Sequence, residues 1–197
     1  MGRRPNPQRK QDLLDEIIKY LGENGIGDLS LRPLAKRLGT STYTLTYQFG
    51  SKDRLLADAV SHAQSHQLNA VAAWLADVPM LGIVPLLERL WSWTCEPQNL
   101  RLVRLLLEAT TLAHSQPDVF GDVGPQVVSH GVELIRAALE RDGMSPSTAR
   151  ARATQVYATL VGLQVDLIAT GDEPRVTRAV EHLCESLTTE IGALAPQ

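Results

Sequence analysis

The sequence predicts an all-α protein of about nine helices, with an N-terminal three-helix domain built on a helix-turn-helix and a larger helical domain behind it. Three observations carry this. Apolar residues recur at the helical period from end to end; no stretch sustains the two-residue alternation of strands joined by hairpin turns; and aromatic residues are only 5% of the 197.

The first helix is expected from about Asn6 to Glu23. Leu13, Leu14, Ile17, Ile18 and Leu21 give it one apolar face, and Gly25 and Gly27 stop it. Ser30 is placed to N-cap a short second helix, with Pro33 in its first turn, Leu31, Leu34, Ala35 and Leu38 on its apolar side and Gly39 at its end. Ser41 caps a third helix through Gln48, turning Leu45 and Phe49 inward and leaving Thr42, Tyr43, Thr44, Tyr47 and Gln48 outward. Ser51 then caps a long helix reaching about Ala76, with Asp53 at the positive end of its dipole.

Beyond a break at Pro79–Gly82, apolar stripes predict helices near residues 84–95, 98–114, 125–142, 146–170 and 175–193. Pro125, Pro146 behind Ser145, and Pro174 fall in first turns, while Gly143 and Gly171 sit just past helix ends. The division expected is residues 1–50 and 51–197. The polar start reads as disordered.

Composition bounds the function. With 44% hydrophobic and 21% charged residues the chain reads as an ordinary globular protein. No apolar run is long enough for a bilayer and the basic start is followed by Asp12, Asp15 and Glu16, so no membrane and a cytoplasmic location are expected. Cys95 and Cys184, 89 residues apart, form no metal or disulfide motif and read as small buried hydrophobes. The net charge of −3 hides an asymmetry: residues 1–56 hold ten Lys/Arg against six Asp/Glu, and the remainder nine against sixteen. A basic head on an acidic body suits a polyanion-binding module.

Two short helices around a tight turn present the second helix to a DNA major groove while the first braces against the backbone. Ser41, Thr42, Tyr43, Thr44, Tyr47 and Gln48 supply hydroxyls, an amide and apolar area for bases and phosphates; Arg32 reaches a phosphate or a guanine edge, and Lys52 a phosphate. The stretch from Gly27 to Leu56, GDLSLRPLAKRLGTSTYTLTYQFGSKDRLL, resembles the DNA-binding segment of the TetR family of regulators, the signature being carried by Ser30, Leu34, Ala35, Gly39, Ser41, Leu45, Phe49, Ser51, Lys52, Asp53 and Leu55. Thr46, where the family often has tyrosine, and Pro33 depart from the pattern.

The resemblance implies a homodimer formed by the last two helices, a palindromic double-stranded operator, and a body pocket whose small effector loosens DNA binding. The body agrees. Val176, Val180, Leu183, Leu187 and Ile191 make a stripe on the last helix, while Val156, Tyr157, Leu160, Val161, Leu163, Val165, Leu167 and Ile168 make the preceding helix apolar around much of its girth, as a helix needing both a core and a partner should be. The segment Gly162 to Asp172 is similar to the end of that helix in some family members.

Trp74, Trp91, Trp93, His114, Phe120, Tyr157 and Gln164 are the large or polar-tipped candidates for lining a ligand cavity, against the blander reading of each as core. His62 and His66, at i and i+4, share a face and could hold a metal if a third ligand arrived; with no Glu after His62 and no Cys or Asp cluster nearby, they read as a solvated polar face and no metal or cofactor is expected. His114 is expected half-buried. There is no phosphate loop, nucleophile elbow or HExxH, so an enzyme is not expected. The competing reading is a helical protein-interaction module of the same architecture, without effector or DNA binding.

Overall fold

The computed structural model describes residues 7–27, 29–78 and 80–193. The polar start before Pro7, Asp28 and Pro79 lie outside the described residues. Among those described there are ten helices and no strand: α1 (Pro7–Asn24), α2 (Leu31–Arg37), α3 (Thr42–Phe49), α4 (Lys52–Asp77), α5 (Ile83–Cys95), α6 (Pro97–Leu112), α7 (Pro117–Phe120), α8 (Val123–Arg141), α9 (Pro146–Thr170) and α10 (Glu173–Gly192). The tenth, unforeseen, is α7, a single turn opened by Pro117 with Asp118 in its first turn. Its four residues are too few to show a period, and α6 ends two residues earlier than expected to make room.

The chain forms two compact units. One holds the described residues through Asn69 together with Arg101–Val127; the other holds Ala70–Leu100 and the described residues from Val128 onward. The division therefore falls inside α4, α6 and α8 rather than at residue 50.

In the first unit α1 buries Leu14, Ile17, Ile18 and Leu21, and α4 buries Leu55, Leu56, Ala59, Val60 and Ala63. The turn after α1 is held from a distance. Glu108 on α6 accepts hydrogen bonds from the amides of Ile26 (2.8 Å) and Gly27 (3.3 Å), 82 and 81 residues away. At Gly22 a Cβ would stand 2.6 Å from Arg101 Cβ, so α1 and α6 approach too closely there for any side chain.

The second unit is built on one apolar cluster of α5, α8, α9 and α10, with Ile83, Leu86, Leu87, Ile135, Val156, Val176 and Leu187 among its buried members. Asp142 closes the start of α5, its carboxylate accepting from the Ile83 amide at 2.7 Å. Ser145 and Asp172 cap α9 and α10 as their side chains accept from Thr148 N and Arg175 N. Arg175 donates to both carboxylate oxygens of Asp166, at 2.9 and 2.6 Å, tying the last turn of α9 to the first of α10 and holding that carboxyl below the usual range.

Candidate nucleic-acid interface

The helix-turn-helix is fixed by backbone bonds before any side chain acts. At the end of α2 the Thr40 amide donates to Ala35 O (2.9 Å) and the Gly39 amide to Lys36 O (3.3 Å), the paired bonds of a Schellman turn. Gly39 sits at φ +59°, a conformation that costs other residues strain. Ser41 then starts α3, its hydroxyl accepting from Thr44 N at 3.0 Å and meeting Thr44 Oγ1 at 2.9 Å. Ser51 does the same for α4, accepting from Arg54 N at 3.1 Å. Ser30 holds the N-cap position of α2 in extended backbone, but its side chain makes no capping bond, contrary to the sequence expectation.

Two side chains anchor α3. Leu45 is 1% and Phe49 4% exposed. Behind them Lys10 on α1 lies over the Phe49 ring, 5.4 Å from its centre, and pairs with Asp58 of α4 at 2.6 Å.

The outward face carries Thr42, Tyr43 and Tyr47, with Arg32 on α2 and Lys52 at the start of α4 also exposed. Tyr43 is 77% and Tyr47 57% exposed, their rings stacked with centres 6.4 Å apart. Two large aromatics left in water on a short helix are the kind of surface a partner covers. Ser41 is exposed but occupied as a cap, and Thr44 is half-buried against it. Gln48 is half-buried with its Oε1 turned inward and unpaired, so its outward orientation is corrected. Thr46 bends back to bond Thr42 O at 2.9 Å. Arg54, exposed beside Gly50, adds a cation to the Lys52 end that the sequence reading passed over; a basic residue one step beyond the cap was the available signal.

The seven candidates for a ligand cavity are divided between the two units. His114 is exposed at the end of the α6 segment and not half-buried, while Phe120 on α7 has no exposed surface; both belong to the first unit. In the second unit Trp74, Trp93 and Gln164 are half-buried, and Tyr157 packs its ring where a Cβ on Gly131 would clash at 2.2 Å. Trp91 alone of the seven lines a groove of about 890 Å³ between α5 and α10, with its indole N–H donating to Thr177 Oγ1 at 2.8 Å. Val84 and Val180 add apolar wall, and Glu88, Glu181 and Glu185 add charge. Both cysteines line it as well, Cys184 buried and Cys95 half-buried; burial, aided by neighbouring glutamates, pushes both thiols up and away from reactive thiolate. His62 and His66 are not a plain solvated face: both turn toward Asp15 of α1.

Residues 13–59 match the sequence model of the bacterial regulatory proteins of the tetR family. No curated protein sequence matches the chain. Among solved structures, the chain is similar to a TetR transcriptional regulator from Legionella pneumophila (17% identity, 94% of this chain and 98% of that one covered, TM-score 0.74). It is also similar to a transcriptional regulator from Rhodococcus sp. Rha1 (21%, 94% and 95%, 0.70) and to the multidrug binding protein EbrR complexed with imidazole (26%, 93% and 93%, 0.60). No helix among the described residues is long and apolar enough to cross a membrane. Residues 13–59 thus carry the sequence pattern of the bacterial regulatory proteins of the tetR family, and along nearly its whole length the chain shares the all-helical fold of TetR-family transcriptional regulators.

Proposed function

We propose that this regulator is a homodimeric repressor that holds a palindromic operator through α3 and leaves it when a small amphipathic ligand binds the helical body. The observation that carries the DNA half is the uncovered α3 face, where Tyr43, Tyr47 and Thr42 stand in solvent on a helix whose other side is locked by Leu45 and Phe49. Arg32, Lys52 and Arg54 flank that face with positive charge for phosphates. Functionally, residues 1–50 read DNA, with Lys52 and Arg54 adding phosphate contacts from the start of α4, and the rest of residues 51–197 bind ligand and dimerise.

Dimerisation is supported by α9. Ala149, Ala153, Val156, Leu160 and Leu167 face the chain's own core, and a second stripe of Ala158, Val161, Gly162, Val165, Ile168 and Ala169 recurs at helical spacing without being buried. Val165 is 51% exposed and a Cβ on Gly162 would meet nothing within 4 Å. A second copy fits such a face. The ligand half is supported by the groove beside Trp91, whose volume lies in the roughly 300–1,000 Å³ range of small-molecule sites. Apolar walls with glutamates select an apolar body carrying a positive group.

The test is selection of bound fragments from random DNA, with the winners retested over a salt series. A palindrome should emerge, and Lys52→Ala should flatten the salt slope by about one unit while weakening all sequences alike. Recovery of no sequence above background defeats the operator reading.

A further inference from the structure

We propose that Asp15, His62 and His66 form a binding site for a divalent first-row transition metal ion that clamps α1 to α4. The two imidazoles come from one face of α4 and the carboxylate from α1, all within the first compact unit. His62 Nε2 lies 2.9 Å from Asp15 Oδ1, His66 Nε2 lies 3.2 Å from the same oxygen, and the two Nε2 atoms are 3.3 Å apart. Bonds of 2.0–2.2 Å to zinc set its ligand atoms about 2.8–3.6 Å from one another, between octahedral and tetrahedral arrangements. The observed triangle has that size on every edge.

Hydrogen bonding accounts for the triangle less well. Two N–H groups donating to one carboxylate oxygen explain two edges, but they leave the third as two donors facing each other at 3.3 Å. A cation at the centre makes all three edges favourable. The rings meet nearly edge to face, at 80°, with their Nε2 atoms 3.3 Å apart.

The donor set selects the ion. Two imidazoles and one carboxylate suit Zn²⁺, Ni²⁺, Co²⁺ or Cu²⁺; Mg²⁺ and Ca²⁺ want oxygen, and Cu⁺ wants sulfur. With His62 20%, His66 48% and Asp15 53% exposed, the remaining coordination positions open to water. Such an open set exchanges its ion, which suits sensing better than permanent structure. Lys10 and Asp58 already join the same two helices, and the metal would add a second tie further along both.

The test uses the full-length chain without a polyhistidine tag, stripped by chelator and titrated with Co²⁺ for its visible absorption and with Zn²⁺ by equilibrium dialysis. One ion per chain should bind, Mg²⁺ should not compete, and Zn²⁺ should raise the unfolding temperature. Asp15→Asn keeps the side-chain shape and should weaken binding about 10-fold or more, as should His66→Gln. Absence of saturable Co²⁺ binding overturns the proposal. So does equal binding by both variants, or a sulfur-to-cobalt charge-transfer band pointing to Cys95 or Cys184. None of these readouts involves DNA, so the operator reading stands or falls separately.

Discussion

Removing the Glu108 carboxylate should loosen the turn that leads from α1 into the helix-turn-helix. Ile26 is 2% exposed, and its amide has the Glu108 oxygen 2.8 Å away as acceptor. In Glu108→Ala that donor is left without its acceptor in a place water reaches poorly, which costs about 1–3 kcal/mol. The Gly27 bond is longer and lies at an exposed residue, so water replaces it at little cost. The sum is about 2 kcal/mol, or a fall in unfolding temperature of about 4–8 °C for a chain of this size. Glu108→Gln keeps a carbonyl oxygen but not the charge, and should lose about half as much.

Because the two compact units need not unfold together, the sharper assay is amide hydrogen exchange. Opening made easier by about 2 kcal/mol appears as about 30-fold less protection at Ile26. Protection at Ile135 and Val156, in the core of the other unit, should be unchanged. If Glu108→Ala unfolds within about 0.5 kcal/mol of the parent and Ile26 keeps its protection, the carboxylate is not what holds the turn, and the argument from its 82-residue reach fails.

Gly39→Ala should destabilise the head by about 1 kcal/mol, since left-handed strain of about 1–2 kcal/mol is partly offset by a stiffer unfolded chain; urea melts would show it, with Gly39→Asn losing less. Val165→Glu should leave the monomer's stability within about 0.5 kcal/mol but shift light-scattering mass from dimer to monomer, and a persisting dimer would move the interface to another face. Arg175 keeps the Asp166 carboxyl below its ordinary value, so this pair's contribution is whole above the unfolded aspartate pKa of about 3.9 and disappears as pH falls through the lowered folded value. Acid titrations of Asp166→Asn should accordingly show a shallower loss of stability on that limb than the parent.

The parts of the fold legible in the sequence are those written in local periodicity and end chemistry. Ser41 and Ser51 cap as their positions promise, though Ser30 does not, and Gly39, Gly143 and Gly171 all take positive φ past helix ends. The two-sided apolar character of α9 was visible too, because one helix cannot bury Leu160 and Val165 against the same neighbour. What was not legible depends on meetings between distant segments. His62 and His66 announced a shared face, but their third partner stands 47 residues earlier on α1, where Asp15 looks like any solvated acid. Likewise Glu108 belongs to a helix whose pairing with the α1 turn has no local signal. Gln48 failed differently: its position on α3 borders the inward side, and an amide of that length turns either way depending on packing.

How a signal reaches the DNA face is constrained by where rigidity lies. The turn between α2 and α3 is closed by two backbone bonds and a side-chain cap, and α3 is pinned by Leu45 and Phe49, so little is left inside the head to adjust except side-chain rotation on the outer face. A switch in the proposed repressor must therefore move the head as one body. α4 has the form for this. Its buried residues, Leu55 through Gln64, all lie in its first half, whereas none of residues 65–77 is buried. The first half is held to the head because displacing it would expose Leu55, Leu56, Ala59 and Val60, whereas the last turns carry half-buried side chains, of which Leu75 packs on the core of the other unit. His62 and His66 sit at the junction of these two regimes, so an ion held there with Asp15 would extend the portion of α4 fixed to the head by one turn.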